Sequence, residues 1–420
     1  MSVPSRVPHP LLIVNFIIIT LFYSYTLLLQ MLPNYLMEQW MLILQTDYVS
    51  MNHILIAFFY SYTPTLLIIG LYYDRANNNI KLMLIMGILL AAISASLYGL
   101  AQTFLAAFIS RILSGISAAI ATIGLLIYIS RYLPHNRFAT YASILPLLYS
   151  LFLLPTFYPH HLILNIAHCK LFFLSLSLFG FLLFLCLQLV FKNKILKQKP
   201  SFTDDTLISF NNYWKIHLKE VFKNNENWLA IIYSFAVWLP LTLFGGLWGI
   251  PYLQTRYHLN YEISFHSVNL IWLGLIFSAP IMGYISDVLK RRAIILIGCS
   301  LIGLISILMI LFMSKLSLKE FTLLLPFLGI AASGQNIALA LINDKNKPSL
   351  RGTAFGFVNL VGLALSAFFQ PLLNMLLQWE EQFHQQITIY TASVYERALI
   401  ILILCYSIAL LVSGLLINKK

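Results

Sequence analysis

About twelve apolar runs, free or nearly free of charge, dominate this sequence and leave it few ways to fold. They fall near residues 11–32, 51–73, 82–101, 104–130, 138–158, 171–191, 228–250, 263–285, 293–313, 321–342, 353–377 and 398–417. A hydrocarbon layer of about 30 Å takes about 20 apolar residues to cross as a helix, so each run is long enough to span. Lipid offers no partner to a backbone N–H or C=O, so only helices and closed barrels can cross it. A barrel needs segments of about ten residues with alternating polarity, and that pattern is missing. The expectation is an all-α membrane protein of 12 transmembrane helices. Only 10% of the residues are charged, against about 25% in soluble domains, which excludes a soluble fold. The first run is too long for a signal-peptide core and lacks a small-residue cleavage pattern, so it reads as a retained helix.

The net charge of +12 raises the question of nucleic acid, and the placement of the charge answers it. With an even number of spans and both termini inside, 20 of the 26 Lys and Arg residues fall on one side of the membrane, among them Arg75, Lys81, Arg131, Arg137, Lys345, Lys347 and Arg351. Short loops rich in Lys and Arg stay in the cytoplasm. The basic balance is therefore a topology signal. The chain is expected to be an integral, multi-pass membrane protein with cytoplasmic N and C termini, surrounded by membrane lipids and without a nucleic-acid partner. Its short loops and bare ends suit a bacterial cytoplasmic (inner) membrane. Cys169, Cys186, Cys299 and Cys405 are scattered and give neither a disulfide framework nor a zinc site. His160, His161, His168 and Cys169 have metal-ligating chemistry but no recognised spacing. No metal and no cofactor is expected.

One long polar loop, residues 192–226, divides the chain into an N-terminal six-helix bundle at 1–191 and a C-terminal six-helix bundle at 227–420. The halves repeat each other. Gly70, Asp74 and Arg75 lie between spans 2 and 3, and Gly283, Asp287, Arg291 and Arg292 lie between spans 8 and 9. "SRYLPHNRFATYAS" after span 4 and "INDKNKPSLRGTAFGF" after span 10 each place Pro and Arg just before a helix that starts with small residues. Parallel repeats of this kind are a transporter plan with the substrate near the midplane. Within the loop, "NNYWKIHLKEVFK" has the spacing of a short amphipathic helix lying on the membrane, with its lysines toward anionic headgroups.

These motifs resemble the major facilitator superfamily, whose members carry Gly-x-x-x-Asp-x-x-x-Arg-Arg between helices 2 and 3 and often again between 8 and 9. Gly283, Asp287, Arg291 and Arg292 match in full, whereas the first copy has Asn78 and Asn79 where the family usually has bases. "RILSGISAA" from Arg111 resembles the family's span-4 motif, "GGLWGIPYL" at 245–253 the end of helix 7, and "RGTAFGFVNLVG" at 351–362 the start of helix 11. The resemblance implies two pseudo-symmetric six-helix bundles, a monomer, and transport of a small solute by alternating access rather than an enzymatic reaction.

Physical chemistry gives the motif residues work to do. Asp287 is placed to accept hydrogen bonds at the N-terminus of a helix from the other half, where the dipole favours an anion. Arg291 and Arg292 would pair with carboxylates, Gly283 would allow close helix approach, and the degenerate first copy would grip less well. Arg111 sits inside span 4, where a cation costs about 2.5–3.5 kcal/mol unless a substrate anion, a carboxylate or backbone carbonyls repay it. All fourteen acids map to loops or span ends, so proton coupling has no obvious mid-membrane carboxylate and both a symporter and a uniporter remain open. A lone cation favours an anionic or zwitterionic nutrient or metabolite. Tyr60, Tyr62, Asn269, Trp272, Gln335 and Asn336 join Arg111 as candidate substrate contacts, with Tyr23, Tyr25, Tyr149, Trp238 and Trp248 as further aromatic candidates. The rivals are an exporter of amphipathic compounds, which the 30 Phe and 23 Tyr would suit, and an integral membrane lipid-modifying enzyme. The latter lacks a carboxylate pair, a His-Asp pattern and a phosphate loop.

Overall fold

A computed structural model describes residues 10–75, 80–153, 166–190, 210–313, 316–383 and 392–417. Among these residues every regular element is a helix, and eleven helical stretches are long and apolar enough to cross a membrane. They are α1 (Pro10–Tyr35), α3 (Tyr48–Asp74), α4 (Ile80–Gly99), α5 (Phe104–Tyr132), α8 (Ile166–Val190), α10 with α11 (Asn225–Leu243 and Gly249–Tyr257), α12 (Tyr261–Leu289), α13 (Arg292–Phe312), α14 with α15 (Leu318–Ala332 and Gly334–Lys345), α16 (Arg351–Phe383) and α17 (Ala392–Ile417). The expected fifth span, 138–158, is represented by α6 (Phe138–Ala142) and α7 (Ile144–Leu153), and its last residues lie outside those described. Two shorter helices complete the order, α2 (Met37–Leu44) and α9 (Phe210–Lys223).

Side chains at the polar edges start the helices. Asp47 accepts from the Ser50 N–H at 3.3 Å, Thr103 from Ala106 at 3.3 Å and Asn260 from Ile263 at 2.9 Å, while Ser317 and Glu320 form a reciprocal capping box. Each cap satisfies an N–H that the first turn would leave orphaned. Two of the eleven stretches are broken. A π-type turn over 244–248, carrying Gly245 and Gly246, separates α10 from α11, and Ser333 separates α14 from α15.

The internal contacts fall into two units. The first takes residues 1–136, 155–223 and 346–360, and the second takes 137–154, 224–345 and 361–420. Each sequence half therefore lends a segment to the unit built mainly from the other: α6 and α7 go to the second unit and the first ten residues of α16 go to the first.

In the first unit α5 is the central post, against which α1, α3 and α4 pack. Its run from Ser117 to Ser130 is buried throughout, because small residues let neighbouring backbones approach. A Cβ at Gly115 would overlap the Phe58 carbonyl, and Ser61 Oγ donates to the Ile112 carbonyl at 2.9 Å across the same crossing. In the second unit α12 packs on α14, α13 on α17 and α10 on α15 and α17, around a core that includes Phe244, Tyr252, Ile271, Trp272, Phe321 and Tyr406.

The amphipathic segment of the central loop is helical, as α9, but protein covers its apolar face. Tyr213, His217 and Val221, one turn apart, are buried. Phe222 packs on Phe357 at 4.4 Å between ring centroids, and Lys347 pairs with Glu220 at 3.4 Å. The helix is thereby docked on the start of α16, which the membrane-surface expectation did not foresee.

Candidate functional site

Asp74 ends α3 with a buried carboxylate. It accepts hydrogen bonds from the backbone N–H of Gly352 at 2.8 Å, from the backbone N–H of Thr353 at 2.6 Å and from the Thr353 hydroxyl at 2.7 Å. Residues 352 and 353 are in the first turn of α16, so the carboxylate caps that helix from another segment. Asp287 repeats the arrangement in the second unit: it accepts from the Ala139 N–H at 3.3 Å, the Thr140 N–H at 2.7 Å and the Thr140 hydroxyl at 2.7 Å, at the start of α6.

The glycines permit these approaches. A Cβ at Gly70 would overlap the Gly352 carbonyl oxygen, and one at Gly283 would lie 2.7 Å from the Ala139 oxygen. Four residues is about one helical turn, so glycine and aspartate face the same neighbour, one by contact and one by hydrogen bond.

The basic residues are where the two clasps differ. Arg292 donates to Asp287 at 2.6 Å and to Asp344, at the end of α15, at 3.1 Å, whereas Arg291 is exposed at the N-cap of α13. In the first unit Arg75 is exposed, and the guanidinium near Asp74, at 3.7 Å, belongs to Arg131 at the end of α5. Arg131 also donates to the Tyr73 carbonyl at 2.5 Å, and nearby Arg351 donates to Ser130 Oγ at 3.1 Å. The first copy, expected to grip less well, thus makes the same three hydrogen bonds as the second. A base from α5 stands where its own loop supplies Asn78 and Asn79, which lie outside the described residues.

Arg111 is 2% exposed and takes the last of the three options the sequence left open, backbone carbonyls. Its terminal nitrogens donate to the Leu29 carbonyl at 2.5 Å and the Gln30 carbonyl at 3.2 Å, and its guanidinium lies 5.0 Å over the Phe58 ring. Pro33 explains the Leu29 bond. In α1 that carbonyl would accept from residue 33, and proline has no N–H to give. Arg111, expected as a cargo contact, thus bonds the carbonyl that Pro33 leaves free in α1.

The other candidates divide between the units. In the first, Tyr60 is 65% exposed and the Tyr62 hydroxyl meets Thr122 Oγ1 at 3.2 Å. In the second, three rings from three helices gather: Tyr149 of α7 lies 5.9 Å from Trp238 of α10 and 6.1 Å from Trp272 of α12. Tyr149 and Trp238 are half-buried. Asn269, one turn before Trp272, is buried and donates to its own helix at the Phe265 carbonyl, 2.9 Å away. Gln335 is half-buried on α15, and Asn336 is buried with an Nδ2 that has no partner. Sequence reading gave the glycines of the π-type turn no role, yet a Cβ at Gly245 would sit 3.4 Å from the Trp272 ring. The adjacent glycines in "FGGLWG" were the available signal. Among the described residues Asp74 and Asp287 are the buried carboxylates, and both are committed to helix termini.

The family model described as Major Facilitator Superfamily matches residues 14–371. No curated protein sequence matches the chain. Among solved structures, a variant of the E. coli fucose:proton symporter FucP is similar at 13% identity, with a TM-score of 0.69 over 96% of this chain and 98% of that one. A second structure of the transporter FucP, in the outward conformation, gives a TM-score of 0.69 at 13% identity over 96% and 99% of the two chains.

Proposed function

Because this chain belongs to the Major Facilitator Superfamily and is a secondary transporter of a small solute, not an enzyme, we propose that it recognises its cargo through neutral aromatic and amide groups rather than through a buried charge. The observation that carries this reading is the cluster of Tyr149, Trp238 and Trp272, with Asn269 on the same helix as Trp272. Ring faces hold apolar faces of planar or cyclic molecules, and the indole N–H and amide groups supply hydrogen bonds. Gln335 and Asn336 of α15 add further uncharged groups in the same unit, and Tyr60 and Tyr62 of α3 are the uncharged candidates of the first unit. The anionic or zwitterionic cargo expected from Arg111 loses its main support, since both terminal nitrogens of that residue already bind carbonyls.

Alternating access would be governed by the two clasps. Gly70, Asp74 and Arg131 form one, and Gly283, Asp287 and Arg292 form the other, with Arg75 and Arg291 exposed beside them. Each ties residues from opposite halves of the sequence, so making and breaking a clasp would bias the balance between states. The halves 1–191 and 227–420, joined by 192–226, serve as the two six-helix bundles. We assign the clasps to the cytoplasmic side, with both termini cytoplasmic, on the strength of the Lys and Arg distribution. A uniporter fits Asp74 and Asp287, the buried carboxylates among the described residues, both being committed to helix termini.

The experiment is solute flux into liposomes containing the purified protein, with neutral cyclic solutes, carboxylates, amino acids and sugar phosphates compared with and without a pH gradient. Uptake of neutral cyclic solutes without a gradient supports the proposal. Movement of carboxylates or phosphates alone would overturn it.

A further inference from the structure

The hydrogen bonding of Arg111 to Leu29 and Gln30 leaves its side chain incomplete. Arg111 Nε and the Tyr98 hydroxyl are both buried without a hydrogen-bond partner. Both residues line a small cavity in the first unit, between α1, α4, α5 and α8, with room for on the order of one water-sized particle. Ser94, Ser110 and Ser114 line it as well. Their hydroxyls now donate to the carbonyls of Ala91, Ser94 and Arg111, and a hydroxyl can rotate to serve an acceptor. Behind the cavity, Trp40 packs against Tyr98 at 4.4 Å between ring centroids.

Two orphaned donors, Arg111 Nε and the Tyr98 hydroxyl, at one buried cation define the chemistry of the missing partner. Among the described residues no carboxylate contacts Arg111, and the two carbonyls it binds supply dipoles, not a neutralising charge. Leaving such a cation unpaired in a low-dielectric interior is costly. A water molecule would satisfy both donors but leave the charge uncompensated. An anion accepts from every donor and cancels the charge. Phosphate and carboxylate solutes are too large for the space. We propose that this cavity binds a single small monovalent anion of halide size, which completes the Arg111 anchor between α1 and α5. The site is independent of the cargo assignment.

The test is thermal unfolding of the purified full-length protein, titrated with chloride or bromide against gluconate at constant ionic strength. The wild type is expected to be stabilised saturably by halide. Tyr98→Phe keeps the ring contacts with Trp40 and Phe173 and removes one donor to an anion, so its half-saturating halide concentration should rise about ten-fold. Arg111→Lys, which retains a charge but loses the Nε donor, should also bind halide more weakly. Equal unfolding in halide and gluconate, or superimposable titrations of wild type and Tyr98→Phe, would overturn the proposal and leave the cavity to water.

Discussion

Asp74 and Thr353 are joined twice through one carboxylate oxygen, which takes the backbone N–H at 2.6 Å and the hydroxyl at 2.7 Å. Asp287 and Thr140 are joined in the same way, at 2.7 Å and 2.7 Å. The repetition of this bond, more than the repetition of the loop bases, is what the internal duplication preserves.

The matching bonds to the helix termini imply costs of the same order, although Asp287 also accepts from Arg292 at 2.6 Å. Asp74→Ala and Asp287→Ala each remove the acceptor of two helix-terminal N–H groups and one hydroxyl, and each is expected to destabilise the protein by about 1–3 kcal/mol. Denaturant unfolding in detergent checks this. A large loss at Asp287 with none at Asp74 would restore the weaker first copy that the loop sequence suggested.

Glycine at the clasps is required by contact. Gly70→Ala would push a methyl group into the Gly352 carbonyl, and Gly283→Ala would crowd Ala139. Overpacking of this kind costs about 1–3 kcal/mol. Gly298→Ala, where a Cβ meets nothing within 4 Å, should be neutral or slightly stabilising. Thermal unfolding of the three variants side by side is the check.

The Arg111 bond to Leu29 exists because Pro33 cannot make it. Pro33→Ala supplies the missing N–H, so Arg111→Lys should cost less in that background than in the wild type. A double-mutant cycle is expected to give a coupling of about 1 kcal/mol or more. Additive effects would show that the guanidinium and the proline act separately.

How much of this was legible in the sequence differs residue by residue. Run lengths set the helices, because membrane thickness leaves no alternative length. The Asp287 clasp was legible too, since a carboxylate one turn past a glycine at a helix end is a cap in search of an N-terminus. Arg131 was not, because nothing local links it to Asp74, 57 residues away in the chain (131 minus 74). Arg111 shows the limit most clearly. Its burial could be inferred from position, but its partner is a carbonyl 82 residues away, freed by a proline in another helix. The Tyr149, Trp238 and Trp272 cluster likewise depends on three helices converging, a property of packing that side-chain type alone does not reveal.

The central claim, that neutral aromatics and not Arg111 recognise cargo, rests most directly on concentration-dependent flux in liposomes for Trp272→Ala and Arg111→Lys. Trp272→Ala is expected to raise the KM for a transported neutral cyclic solute about ten-fold, the equivalent of losing about 1.4 kcal/mol of binding. Arg111→Lys is expected to lower thermal stability with KM unchanged. A wild-type KM in Trp272→Ala together with a raised KM in Arg111→Lys would contradict the account and return the cargo site to the buried cation.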